Sequence, residues 1–119
     1  LAYVSRVIDG DTIEVVVVIY PHDYRLRIRM ADYDSPELRP RKKGRTQKDL
    51  NQEKKRARQA TEYLKSLIDQ KLVFLEILKE GKYGGRWIGR IWYQEESINE
   101  KMIQEGHGVP YQGGTKPSH

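Results

Sequence analysis

The first thirty positions fall into short runs, β-branched or alternating, broken by turn residues, which predicts strands rather than helices. Tyr3–Ile8 reads as a first strand and stops at Asp9-Gly10-Asp11-Thr12. Asp-Gly between two β-rich runs predicts a tight turn, because glycine accepts positive φ and aspartate bonds its own backbone. Ile13–Tyr20, rich in β-branched residues, reads as a second strand ending at Pro21-His22-Asp23. Tyr24–Met30 alternates cleanly, with Leu26, Ile28 and Met30 on one face and Arg25, Arg27 and Arg29 on the other. Strands two and three therefore make a hairpin with one buried and one cationic face. Its far end, Val15–Tyr24, carries more apolar residues than a solvent-facing hairpin needs.

Leu38–Asp49 has no hydrophobic periodicity and predicts an exposed, mobile loop. From about Leu50 to Asp69 the period becomes helical, with Ala57, Ala60, Leu64, Leu67 and Ile68 sharing a face. Leu72–Leu78 and Trp87–Tyr93 read as fourth and fifth strands around a turn at Glu80–Gly85. Ser97 or Asn99 can cap a short helix through Glu105, with Gly106 as its stop. Five short strands, a helix after the third and another at the end give an α+β, mainly β, pattern. It suits a small closed barrel of the oligonucleotide-binding (OB-fold) type. The expected division is one domain over residues 1–111 and a flexible tail over 112–119, where Gly and Pro accumulate.

Composition sharpens this. The 119 residues hold 37% hydrophobic against 33% charged positions, so the core is small and the surface crowded with charge. A net charge of +5 favours anionic partners such as nucleic acid. Absence of cysteine excludes disulfides, a thiol nucleophile and thiolate zinc sites. The longest apolar run, Val15–Tyr20, is far too short to span a membrane. No obligate protein partner is evident. The chain starts at Leu1 rather than Met, so compartment stays open: secreted or periplasmic if an upstream signal was removed, otherwise intracellular.

The candidate chemistry is concentrated in Arg29–Glu37. Arg29 ends a strand, Asp34 follows five residues on, and Glu37 comes three later behind Ser35-Pro36. A cation, a short carboxylate and a longer carboxylate on one strand-to-loop corner can hold a metal beside a phosphate. Asp11, on the turn at the other end of the hairpin, is a second candidate oxygen ligand for a hard cation. The plain alternative is that Asp9, Asp11 and Asp34 are turn formers. Arg29 and Arg86 are candidate phosphate clamps, because a planar guanidinium meets two phosphate oxygens at once. Both also have ordinary readings, as a wet-face residue and a strand-start residue. Glu37 is the candidate general base for an attacking water, or else an exposed loop carboxylate paired with Arg39 or Arg41. Lys42 and Lys43 belong to a basic stretch that would gather a polyanion.

Taken in order, Val7-Ile8-Asp9-Gly10-Asp11-Thr12, Arg29 with Asp34-Ser35-Pro36-Glu37, Lys82-Tyr83-Gly84-Gly85-Arg86, and Ile98-Asn99-Glu100 with Gly106 resemble the staphylococcal (micrococcal) nuclease family. The resemblance covers roughly Tyr3 to Tyr111. It implies an OB-fold barrel and calcium-dependent hydrolysis of DNA and RNA phosphodiesters that leaves 3′-phosphates, with little sequence specificity. It assigns Asp11, Asp34 and the Ser35 carbonyl to calcium, Glu37 to the water, and Arg29 and Arg86 to the scissile phosphate. Lys82, Tyr83 and Tyr111 fall to the rest of the substrate. The family's Tyr-Gly-Arg is here Tyr83-Gly84-Gly85-Arg86. The additional glycine is expected to bulge outward, because Trp87–Ile91 continues the strand in register with Arg86. The competing reading from another class is a catalytically inactive barrel that binds nucleic acid or protein.

Overall fold

The computed structural model describes residues 1–36, 44, 46–81 and 85–110. Three strands open the chain: β1 (Ala2–Asp9), β2 (Thr12–Ile19) and β3 (His22–Met30). The two-residue β4 (Tyr33–Asp34) and helix α1 (Gln47–Ile68) follow. Then come β5 (Leu72–Lys79), β6 (Trp87–Tyr93), the short β7 (Glu96–Ser97), helix α2 (Ile98–Gln104) and β8 (Val109–Pro110). The strands run β3-β2-β1-β5-β6-β7, and a parallel pairing of β3 with β6 closes five of them into a barrel. This is the expected mainly-β barrel with a helix after the third strand and a short one near the end. Asp34 does not start a turn; it pairs with Val109 in a small β4–β8 ribbon.

Closure follows from the alternation. In the β2–β3 register Ile13 faces Ile28 and Val15 faces Leu26, and Ile13, Val15 and Ile28 are fully buried. The intervening pairs, Thr12 with Arg29 and Glu14 with Arg27, fall on the outer face. Helix α1 caps the barrel with Leu50, Ala57, Ala60, Thr61, Leu64 and Ile68. It begins three residues before the position its hydrophobic period suggests. Thr46 acts as N-cap, its hydroxyl accepting from the Asp49 amide at 3.1 Å, and a cap lies outside any apolar period. The basic loop expected over 38–49 is shortened accordingly, and its residues 38–43 lie outside the described residues.

Two further details correct the sequence reading. Gly10 does not have positive φ. What excludes a side chain there is proximity: a Cβ would stand 2.8 Å from the Ser35 Cβ and Oγ and 2.9 Å from Ala60. The aspartate half of the turn argument holds, since Asp9 Oδ1 accepts from the Asp11 amide at 3.0 Å. Likewise Ser97, not Asn99, caps α2. Asn99 is buried inside the helix start and accepts from the Ile91 amide at 2.9 Å. Its amide group donates to the Ala31 carbonyl at 2.9 Å and the Gly89 carbonyl at 3.3 Å. One side chain thus ties α2 to β6 and to the end of β3. Gly106 does have positive φ, 76°, as a helix stop should.

The apolar excess of the hairpin also acquires a place. Inward-facing Val17, Ile19, Tyr24 and Leu26 continue past the point where the barrel closes. With Leu75 and Trp87 they line an open mouth of about 450 Å³. No described helix is long and apolar enough to cross a membrane.

Candidate active site at the hairpin base

The turn between β1 and β2 and the exit from β3 meet because Thr12 pairs with Arg29 and the Met30 amide donates to the Asp11 carbonyl at 2.7 Å. That register brings Asp11, Arg29 and Asp34 together. The Arg29 Nη2 donates to Asp34 Oδ1 and stands 3.4 Å from Asp11 Oδ2. Its other terminal nitrogen, Nη1, donates to the Met30 and Tyr33 carbonyls at 2.7 and 2.9 Å. All three side chains are only 12–16% exposed, so the guanidinium is locked by packing as well as by charge.

Ser35 lies beside this cluster, its backbone amide donating to Asp11 Oδ2 at 3.2 Å. Arg86 arrives from the residue just before β6, its Nη1 donating to the Thr12 hydroxyl at 3.3 Å. That hydroxyl in turn donates to Asp11 Oδ1 at 3.1 Å. So Asp11, the Arg29–Ser35 stretch with Arg29, Asp34 and Ser35, and Arg86, three separate parts of the sequence, are collected at one end of the barrel. Glu37, Lys42, Lys43, Lys82, Tyr83 and Tyr111, also singled out in the sequence, lie outside the described residues.

The surroundings tune the charges. Burial raises the Asp9 carboxyl to about 6, helped by its hydrogen bond to, and repulsion from, Asp11. Burial also raises the Tyr33 phenol well above its ordinary range, with the Asp11 charge adding to it. Tyr33 consequently stays a neutral donor, and its hydroxyl bonds the Gly10 carbonyl at 2.8 Å. Tyr33, Gly10 and Ala60 set the position of the Asp11 turn. None carries chemistry itself; Gly10 gave a sequence signal for the wrong physical reason, and Ala60 gave one only as part of the apolar helix face.

Asp11 and Asp34 present oxygen atoms toward one point, the Arg29 Nη2. A convergent pair of hard carboxylates suits a hard cation such as calcium, magnesium or manganese. Among the described residues no group of three or more His, Cys, Asp or Glu converges for a metal, so a cation here would rely on two carboxylates, backbone oxygen and solvent.

The fold and site together are a closed five-stranded barrel with acids and arginines gathered at one hairpin base. The family model described as staphylococcal nuclease homologue matches residues 27–118, and the chain belongs to that family. The matched span takes in Arg29, Asp34, Ser35, Glu37 and Arg86 and leaves the Asp11 turn before it. Among curated relatives, "Protein ParB" of Escherichia coli is 30% identical over 117 residues, covering 91% of this chain and 55% of that protein. An "Uncharacterized endonuclease" of Escherichia coli O157:H7 is 30% identical over 112 residues, covering 92% of this chain and 60% of that protein. The chain thus spans little more than half the length of these relatives.

Proposed function

We propose that this chain is a nuclease domain that hydrolyses DNA or RNA phosphodiesters with little sequence specificity, uses calcium, and leaves 3′-phosphates. The observation that carries the reading is the convergence of Asp11 and Asp34 on Arg29, with Arg86 one hydrogen bond away through Thr12. Membership of the nuclease-homologue family and the relative named as an endonuclease point the same way.

Asp11 and Asp34, with the Ser35 carbonyl, are the groups that would hold calcium. Bound there, the ion supplies Lewis-acid polarisation of a phosphate oxygen. Arg29 is the cation shared by both acids, offsetting one of their two negative charges. It serves the reaction when its fork exchanges a carboxylate for a phosphate oxygen. Arg86, resting on a neutral hydroxyl, gives up little to do the same. Together they stabilise the extra negative charge of five-coordinate phosphorus. Glu37 orients the attacking water and accepts its proton. Lys82, Tyr83 and Tyr111 contact the neighbouring nucleotides, and Lys42 and Lys43 draw in the polyanion. Among the described residues no helix is arranged to read base edges, consistent with low sequence specificity.

The test is to incubate the protein with plasmid and with single-stranded DNA, in calcium and then in chelator, beside Glu37→Gln and Arg29→Ala. Cleavage is expected only in calcium, reduced about 10²–10⁴-fold in each variant. Cleavage that survives chelation, or is equal in both variants and the parent, refutes the mechanism. Binding in calcium with no cleavage gives the case to the inactive binding module.

A further inference from the structure

Outward from Arg29 the same strand carries Arg27 and then Arg25, each two residues apart and on the outer face. Two residues of strand advance about 7 Å, comparable to the step between successive phosphates of an extended nucleic-acid strand. Arg86 lies alongside this row, since Ile28 pairs with Trp87 in the parallel β3–β6 contact and Arg86 precedes Trp87. Arg27 is exposed and has no acidic partner among the described residues. Arg25 is 72% exposed and shares Glu14 with Arg6 and the Ser5 hydroxyl. Glu14 itself is held ionised, the Ser5 hydrogen bond lowering its carboxyl first and Arg6 and Arg25 adding to it. Three arginines therefore face one carboxylate on this surface, leaving it cationic.

Beside the row lies a recess of about 240 Å³ lined by Glu14, Arg25, Leu26, Arg27, Gly85 and Trp87. It exists because β3 and β6 pair only from Ile28 and Trp87 onward, so their ends part there, and Gly85 has no side chain to fill the gap. A slot with an apolar, aromatic floor and a cationic wall is the combination that holds single-stranded nucleic acid: phosphates on the guanidiniums, a base against the ring. We infer that Arg27 and Arg25 form a track for the phosphates next to the cleaved one, and that the recess over Leu26 and Trp87 accepts an unstacked base. The inference rests on the nuclease reading for its direction: an unpaired strand leaving the cleavage site meets Arg27, then Arg25, with the slot beside them. A stacked duplex offers phosphates to the track but no free base to the slot.

The test joins binding with cleavage. Arg25→Gln/Arg27→Gln is compared with Arg56→Gln/Arg58→Gln, which makes the same charge change on exposed positions of α1. Substrates are a single-stranded oligonucleotide of about ten nucleotides, the same sequence as duplex, and a dinucleotide. The track variant should raise KM for the single strand about tenfold more than KM for the dinucleotide. Its salt slope for binding should fall by about 1–2, while the helix variant shows neither effect. In a Trp92→Phe background the remaining Trp87 emission should change on adding single strand and less on adding duplex. Equal KM losses for dinucleotide and single strand, the same losses in the helix variant, or equal responses to duplex would overturn the inference. Binding is also measured in chelator. If the parent never cleaves but binds single strand through Arg25 and Arg27, the track stands and the nuclease reading falls.

Discussion

Arg29 and Asp34 are joined by a guanidinium nitrogen that also stands 3.4 Å from Asp11, so one cation holds apart two nearly buried acids. Removing it takes a shared guanidinium away from two carboxylates in a poorly solvated site, a change that costs about 3–5 kcal/mol when burial is complete. With the site 12–16% exposed, Arg29→Gln should lose about 2–4 kcal/mol in chelator. A cation that binds the folded state recovers stability in proportion to its saturation, about 2.7 kcal/mol at a hundredfold excess over Kd. Calcium should therefore stabilise Arg29→Gln more than it stabilises the parent, whose arginine competes for the same oxygens. Urea unfolding with and without calcium measures both. An equal calcium gain in the two proteins would mean the ion does not sit between these acids.

Gly10 controls the same turn through space. An added Cβ would meet Ser35 and Ala60 at 2.8–2.9 Å, and Ala60 is anchored on a buried helix face. Gly10→Ala should cost about 1–3 kcal/mol, as overpacking does. It should also weaken calcium binding, because Ser35 moves with its amide bond to Asp11. Urea unfolding and calcium titration read the two effects separately. Retained stability would show that the Ser35 segment yields.

How far the sequence carried this can be judged from these residues. β-branched and alternating runs, with the order of strands and helices, sufficed for the barrel, because Ile13, Val15 and Ile28 are fully buried and nothing competes with their burial. Asp11, Arg29, Asp34 and Arg86 were legible as a set. Their meeting was not, since it depends on the Thr12–Arg29 register and on Arg86 reaching Thr12 across 74 positions. The supports were hidden for a different reason. Gly10 and Asn99 each have an ordinary local reading, turn glycine and helix cap. Only tertiary contacts show that one is a clearance and the other a three-way tie. The ribbon of Tyr33–Asp34 with Val109–Pro110 is two residues long, too short to show any period.

Asp9 gives the chain a pH signature in metal-free buffer. Its carboxyl is raised from an ordinary 3.8 to about 6, chiefly by burial and then by its contacts with Asp11. Between those values the folded chain binds the proton more tightly than the unfolded chain. Its contribution to stability is therefore greatest below pH 4 and is lost as the pH climbs through 6. Asp9→Asn should stabilise the protein at pH 7, change little at pH 4, and remove that part of the slope between them. Asparagine can still accept from the Asp11 amide, so the turn is kept. Denaturation at a series of pH values in chelator, parent against variant, isolates Asp9 from the other carboxylates. A difference that does not vary with pH would exclude it.

Asn99 is the most exacting of the buried polar residues. It is 1% exposed, and its amide satisfies the Ile91 N–H and the Ala31 and Gly89 carbonyls, three backbone groups at the junction of β3, β6 and α2. Asn99→Ala takes this partner from the Ile91 N–H and the Ala31 carbonyl, while the Gly89 carbonyl keeps the Ala31 amide at 2.9 Å; each unsatisfied buried group costs about 1–3 kcal/mol. A loss of at least about 2 kcal/mol is expected, enough to lower Tm by more than about 5 °C in a domain of this size. Asn99→Asp keeps the acceptor for Ile91 but replaces the donor with an oxygen facing two carbonyls, so it should be no better than alanine at neutral pH. Hydrogen exchange separates the two. The Ile91 amide should lose protection in Asn99→Ala beyond the global loss of stability, and keep more of it in Asn99→Asp. If Ile91 instead follows global stability alike in both, the tie between α2 and the barrel does not run through this side chain.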